Sequence, residues 1–70
     1  MSKPMGDVWL KFDQADDEEP TMEANTFKNE GGYEIQWYHV DIGLVHRVHA
    51  PSLSEVQAWY AQNGFTDYTS

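Results

Sequence analysis

Cysteine is absent from the 70 residues, so neither a disulfide framework nor a thiolate metal site can staple a domain of a size that commonly uses one. Long apolar runs are missing too. Nothing approaches the roughly 20 residues of a spanning helix, and Lys3 is not followed by the about 7 to 15 apolar residues of a secretory leader. The expectation is a soluble, unprocessed, cytoplasmic protein. Cations are scarce: four Lys and Arg against twelve Asp and Glu leave a net charge of -8, which argues against the basic surface that direct nucleic-acid binding needs. Gly31 and Gly32 lack the strand-then-helix setting of a phosphate loop. No nucleophile, base and orienting group form a recognisable set, so the chain is read as not an enzyme and as needing no cofactor.

What is present is aromatic. Hydrophobic residues make up 40% and rings 14% of the chain, too much for an acidic disordered tail and enough for a small core built from rings. At 8.1 kDa the chain has material for one domain, residues 1–70.

Val8 to Phe12 alternate with Val8, Leu10 and Phe12 on one face and Trp9 and Lys11 on the other, the period of a half-buried strand. This reading turns Trp9 outward. Residues 13–30 form an acidic connection: Asp13, Asp16, Asp17, Glu18, Glu19, Glu23 and Glu30 against Lys28 alone, or -6 of the -8. Within it Gln14 to Thr21 reads as a loop around Pro20, and Met22 to Lys28 as a weak edge strand. Asn29 to Gly32 is a turn signal. Beyond it, residues 33–50 read as a hairpin reversing at Asp41-Ile42-Gly43, in a register that sets Trp37 opposite Val48, Ile35 opposite Ala50, His39 opposite His46 and Tyr38 opposite Arg47.

Residues 52–64 carry the signals of a helix: Ser52 as cap with Glu55 three residues on, Pro51 and Val56 as a staple, Leu53, Val56 and Tyr60 on one stripe with Trp59 beside it, and Asn63-Gly64-Phe65 as a stop that folds Phe65 onto Tyr60. Thr66 to Ser70 can add an edge strand. The expected fold is α+β, a small antiparallel sheet of three to four strands with one C-terminal helix packed on one face.

Two candidate sites emerge. Trp9 and Tyr38, rings without an evident place in the core, stand with Asp13, Asp16, Asp17, Glu18, Glu19 and Glu23 as an aromatic surface rimmed by acids, the profile of an interface for a basic partner. The expected function is a small, acidic, non-enzymatic binding protein that docks on a basic site of a protein partner, such as a nucleic-acid-binding enzyme inhibited by mimicry of its nucleic acid, in the manner of small phage inhibitors. The alternative is a metal-binding protein in which His39 and His46, with Asp41 near the turn, hold nickel or zinc. His49 points away from His46, and two convergent imidazoles are few for tight binding.

Ile35-Gln36-Trp37, His39-Val40-Asp41, Ala50-Pro51-Ser52 and, twelve residues past Ser52, Gly64-Phe65 resemble the second half of a family of small ferredoxin-like proteins, a domain of unknown function with nickel-binding members. The resemblance covers about half the chain. It implies a strand-helix-strand-strand-helix fold, often dimeric, so a second copy of the chain is a further expected partner. Two positions depart from the family: no first helix is evident in residues 13–30, and Trp59 stands where the family commonly has a histidine.

Overall fold

Small and polar side chains at alternate positions of Met22 to Asn29 let other elements approach that segment closely, and it forms the middle of the sheet. The computed structural model describes residues 2–14 and 16–69. Its elements are β1 (Lys3–Pro4), β2 (Trp9–Lys11), β3 (Met22–Asn29), β4 (Gly32–His39), β5 (Val45–Ala50), α1 (Leu53–Gln62) and β6 (Thr66–Asp67). The strands form one antiparallel sheet in the order β5-β4-β3-β2-β6, with β1 pairing β3 beside β2. Six strands replace the expected three to four. Both ends of the chain contribute two-residue strands, and residues 22–29 are a central strand rather than a weak edge. Nor does the order strand-helix-strand-strand-helix occur: where that pattern has its first helix, the described residues hold a loop and β3. Ser70, the end of the expected tail strand, and Ala15 in the acidic loop lie outside the described residues.

The sequence of β3 shows no clear strand period because its inward residues are small or polar. Ala24 and Thr26 are 0% and 1% exposed, and they make room for the rings that cover them. Trp9, opposite Ala24, turns inward and stacks on Tyr60 of α1 at 4.0 Å between centroids and 5° between planes, correcting the expectation that it faces out. Ile35, Ala50, Val56 and Phe65 complete the buried core, with Trp37, Val48 and Trp59 packed against it. The helix starts as expected: Ser52 Oγ accepts from the Glu55 amide at 3.3 Å. It ends in paired reverse bonds, Phe65 N to Tyr60 O and Gly64 N to Ala61 O at 3.0 and 3.3 Å, with Gly64 at φ +78, the geometry of a Schellman stop. Leu53, expected on the buried stripe, is 44% exposed.

The β4–β5 register differs by two residues from that expected. Trp37 lies opposite His46, Ile35 opposite Val48, Tyr33 opposite Ala50, and Tyr38 opposite Val45. A shift of two keeps every side chain on its face, so alternation cannot distinguish the registers. The turn decides. His39 O accepts from both Ile42 N and Gly43 N at 3.1 and 2.8 Å, and Gly43 takes φ +78, so the chain reverses over Val40 to Gly43.

Between Pro4, opposite Phe27, and Trp9, opposite Ala24, four residues face the two of β3. This bulge interrupts the ladder at Thr26. Asp7, carried in it, supplies the missing rung. Its carboxylate accepts from Thr26 N and Trp9 Nε1, each at 2.8 Å, and from the Thr26 hydroxyl. Asn25 Nδ2 donates to the Asp7 carbonyl at 2.8 Å. The network continues from Thr26 Oγ1 to the Tyr60 hydroxyl at 2.9 Å.

Two outcomes follow from that network. Asp7→Asn replaces one accepting oxygen by a donor aimed at other donors and should cost about 1 to 3 kcal/mol, a drop of several degrees in melting temperature; unchanged melting would mean that the carboxylate does not hold the bulge. Burial raises the Tyr60 phenol well above its ordinary value of 10.0, with the Thr26 hydrogen bond opposing and the Asp7 charge adding. Above about pH 10 the unfolded chain gives up this proton while the fold keeps it, so stability falls as pH rises. Denaturant melts across that range should show a shallower loss in Tyr60→Phe than in wild type.

Candidate functional interface

One end of the sheet gathers most of the negative charge. There β2 runs into the loop of residues 12–21, and β4 turns into β5. The two loops are tied through the backbone: Thr21 N donates to Lys11 O at 2.7 Å and Val40 N to Thr21 O at 3.0 Å. Within the acidic loop Gln14 N donates to an Asp17 carboxylate oxygen, and Asp17 N returns a bond to Gln14 O, both at 3.1 Å. This turn holds its own shape while Asp13, Asp16, Asp17, Glu18 and Glu19 all stay exposed. Asp41 is exposed in the neighbouring turn, and Glu23 lies one position into β3. Seven of the twelve acids therefore share this end, where Lys11 is the nearby lysine.

Beside them stands an apolar tip that the sequence reading did not single out. Val40, Ile42, Leu44 and Val45 are 44%, 73%, 62% and 47% exposed. A signal for it exists: turns favour Gly, Asn, Asp, Ser and Pro, and three aliphatic residues alternating with Asp41 and Gly43 do not serve a turn's backbone needs.

Of the residues expected at an aromatic, acid-rimmed surface, the structure brings most together and removes one. Trp9 is partly buried against the core. Tyr38 lies on the face of the sheet opposite the helix, with its hydroxyl donating to Glu23 at 2.8 Å. That hydrogen bond, then burial and the Glu23 charge, raises the Tyr38 phenol above its ordinary range. Its cross-strand neighbour is Val45, while Arg47 pairs with Gln36.

The alternative ligand set is pulled apart by the same register. His46 stacks on the Trp37 indole at 4.3 Å and 18°, and His39, opposite Met22, meets the edge of that indole at 5.9 Å. Both imidazoles rest against that one indole, and His39 and His46 do not face each other across the hairpin. Among the described residues no group of three or more His, Asp or Glu converges, and no helix is long and apolar enough to cross a membrane.

Compared with known proteins, the chain matches no family model, no curated protein and no solved structure.

The lack of a three-ligand group among the described residues sets an expectation for metal. Calorimetric titration with nickel or zinc should give binding no tighter than micromolar, since neither thiolate nor a third ligand assists. Submicromolar binding abolished by His46→Ala would contradict it.

Proposed function

We propose that the protein is a non-enzymatic binding module whose acidic, apolar-tipped end docks on a basic site of a cytoplasmic protein partner. The observation that carries this reading is the fusion of two loops into one surface: exposed aliphatic side chains of Val40, Ile42, Leu44 and Val45 beside Asp13, Asp16, Asp17, Glu18, Glu19 and Asp41. Interfaces commonly combine an apolar centre with a charged rim. The centre supplies desolvated contact, and the acids steer encounter with a positive surface. A nucleic-acid-binding enzyme offers a basic groove, so mimicry of nucleic acid by the loop carboxylates is the proposed mode and inhibition its effect. Glu23 and Tyr38 extend the contact along the sheet. Such docking requires no cofactor.

The test separates the two parts of the surface. Immobilised chain should capture its partner from host lysate in a salt-sensitive manner, and added nucleic acid should compete. With the purified partner, replacing Asp16, Asp17, Glu18 and Glu19 by Asn and Gln moves the charge from -8 to -4. Association should slow and its salt dependence flatten, while folding is retained, because changes at such exposed positions are usually worth within about 0.5 kcal/mol. Ile42→Ser with Leu44→Ser should instead speed dissociation. An unchanged on-rate and salt slope in the quadruple variant would reduce the loop to a solubilising segment and remove the proposal.

A further inference from the structure

Two rings beside the acidic loop have no part in the core. Phe12 directly follows β2 and Tyr68 directly follows β6, and neither belongs to the buried cluster or packs against it. Tyr68 is 52% exposed. The rings stand 5.9 Å apart between centroids at 52° between planes, so they form a corner of two walls and not a flat stack. Both line a cavity of about 300 Å³, together with Gly64 and Thr66 from the end of the chain and Asp13, Gln14 and Asp17 from the acidic loop. Ligand pockets run from roughly 300 to 1,000 Å³. This one is therefore sized for a small molecule or a single side chain.

The lining sets the charge of what enters. It holds two carboxylates and no Lys, Arg or His, and the faces of aromatic rings attract a cation placed within about 6 Å of their centroids. Rings and acids thus favour the same sign. A bare calcium or magnesium ion would need more oxygen ligands, and among the described residues no group of three or more His, Asp or Glu converges. An organic cation with an apolar stem uses the rings and the acids together. Asp17 separates the two cationic groups that proteins carry. One of its oxygens accepts from Gln14 N at 3.1 Å, whereas a guanidinium is held best by both oxygens of one carboxylate. The second oxygen suits a single N–H of an ammonium. Both sides of the cavity are tied down: Tyr68 N donates to Val8 O at 2.8 Å, Val8 N to Thr69 Oγ1 at 3.0 Å, and Asp17 N to Gln14 O at 3.1 Å. A ligand therefore has little of the wall to order.

We propose that this cavity binds an alkylammonium group, and that in the complex this group is the side chain of a lysine on the basic partner. The aliphatic stem lies against Phe12 and Tyr68, and the ammonium reaches the carboxylates of Asp13 and Asp17. The lysine as source rests on the docking reading above, whereas the ammonium site itself does not need a partner to be measured. The cavity gives the acidic end a second kind of recognition. Exposed carboxylates act at a distance on any positive surface, while the aromatic corner distinguishes one cation from another by shape at contact.

Amide chemical-shift titrations of the isotopically labelled full chain test it with four probes: n-butylammonium, n-butylguanidinium, n-butanol and the lysine analogue acetyl-lysine methylamide. Saturable shifts should map to Gln14, Asp17, Gly64, Thr66 and Tyr68. The ammonium should bind on the order of millimolar, as so few ligand atoms allow, with the guanidinium weaker and the alcohol weakest. This series needs no substitution. Two variants then separate the walls: Tyr68→Leu keeps apolar bulk but removes a ring face, and Asp17→Asn keeps an acceptor for Gln14 N but removes the charge. Each should weaken ammonium binding about two- to fivefold while circular dichroism and melting stay like wild type. The proposal is overturned if no saturable shift appears, if the alcohol or the guanidinium binds as tightly as the ammonium, or if both variants bind like wild type. Tighter binding of n-butylammonium than of the lysine analogue would overturn the lysine as source. A chain that binds no ammonium, yet loses association rate with its partner in the quadruple acid variant, would remove this inference and leave the docking in place; ammonium binding with an unchanged rate would do the reverse.

Discussion

The carboxylate of Asp7 is the point on which the core depends. A bulge between β1 and β2 takes the chain away from Thr26 and would leave its amide without a ladder partner, a loss that costs about 1 to 3 kcal/mol for a buried group. Asp7 fills the gap with oxygen instead of backbone. It also fixes the Thr26 hydroxyl and the Trp9 indole, and Thr26 in turn anchors the Tyr60 hydroxyl. Through these contacts one side chain joins β2, β3 and α1. The stacked pair of Trp9 and Tyr60 covers this polar cluster, so the small interior combines rings with a satisfied hydrogen-bond network.

Because α1 lies over β4 and β5 while Trp9 reaches across from β2, one helix suffices for the inner face. The other face has no covering layer among the described residues. Its rows are mostly polar, as in Asn25-Gln36-Arg47, which suits water. Four of the exposed apolar residues, Val40, Ile42, Leu44 and Val45, sit at the turn between β4 and β5, next to the acids of the preceding loop. Charge and exposed apolar surface therefore coincide at one end for a topological reason: antiparallel neighbours place the β2–β3 and β4–β5 connections on the same side of the sheet.

Local signals proved readable where chemistry within a few residues decides structure. Ser52, Glu55 and Gly64 define a helix by capping alone, and Gly31-Gly32 announces a turn whatever surrounds it. The parts that were missed depend on partners far along the chain. Trp9 alternates with Leu10 either way, and only Ala24 opposite it and Tyr60 above it show which face is inside. β3 reads as weak because Thr26 and Asn25 look polar until Asp7 and Tyr60 are placed beside them. The hairpin register was undetermined for a different reason, since a slip of two residues leaves the pattern of faces intact. In the candidate interface the acids were visible as a run of charge, but the aliphatic tip was not, because hydrophobic residues in a turn resemble the ends of the strands they join.

The pairing of β6 with β2 sets Asp67 opposite Trp9 and Thr66 opposite Leu10, and Tyr68 N donates to Val8 O at 2.8 Å. These partners are separated by nearly the whole chain. Closing so long a loop is entropically costly before its few bonds are formed, whereas the β3–β4 hairpin closes over two residues. Assembly should thus begin at that hairpin, gain β5 and the helix, and join β6 to β2 last. The same ordering makes the β2–β6 seam the first to part under thermal agitation, and Phe65, one residue before β6 and 7% exposed, is the core side chain that such a breach uncovers.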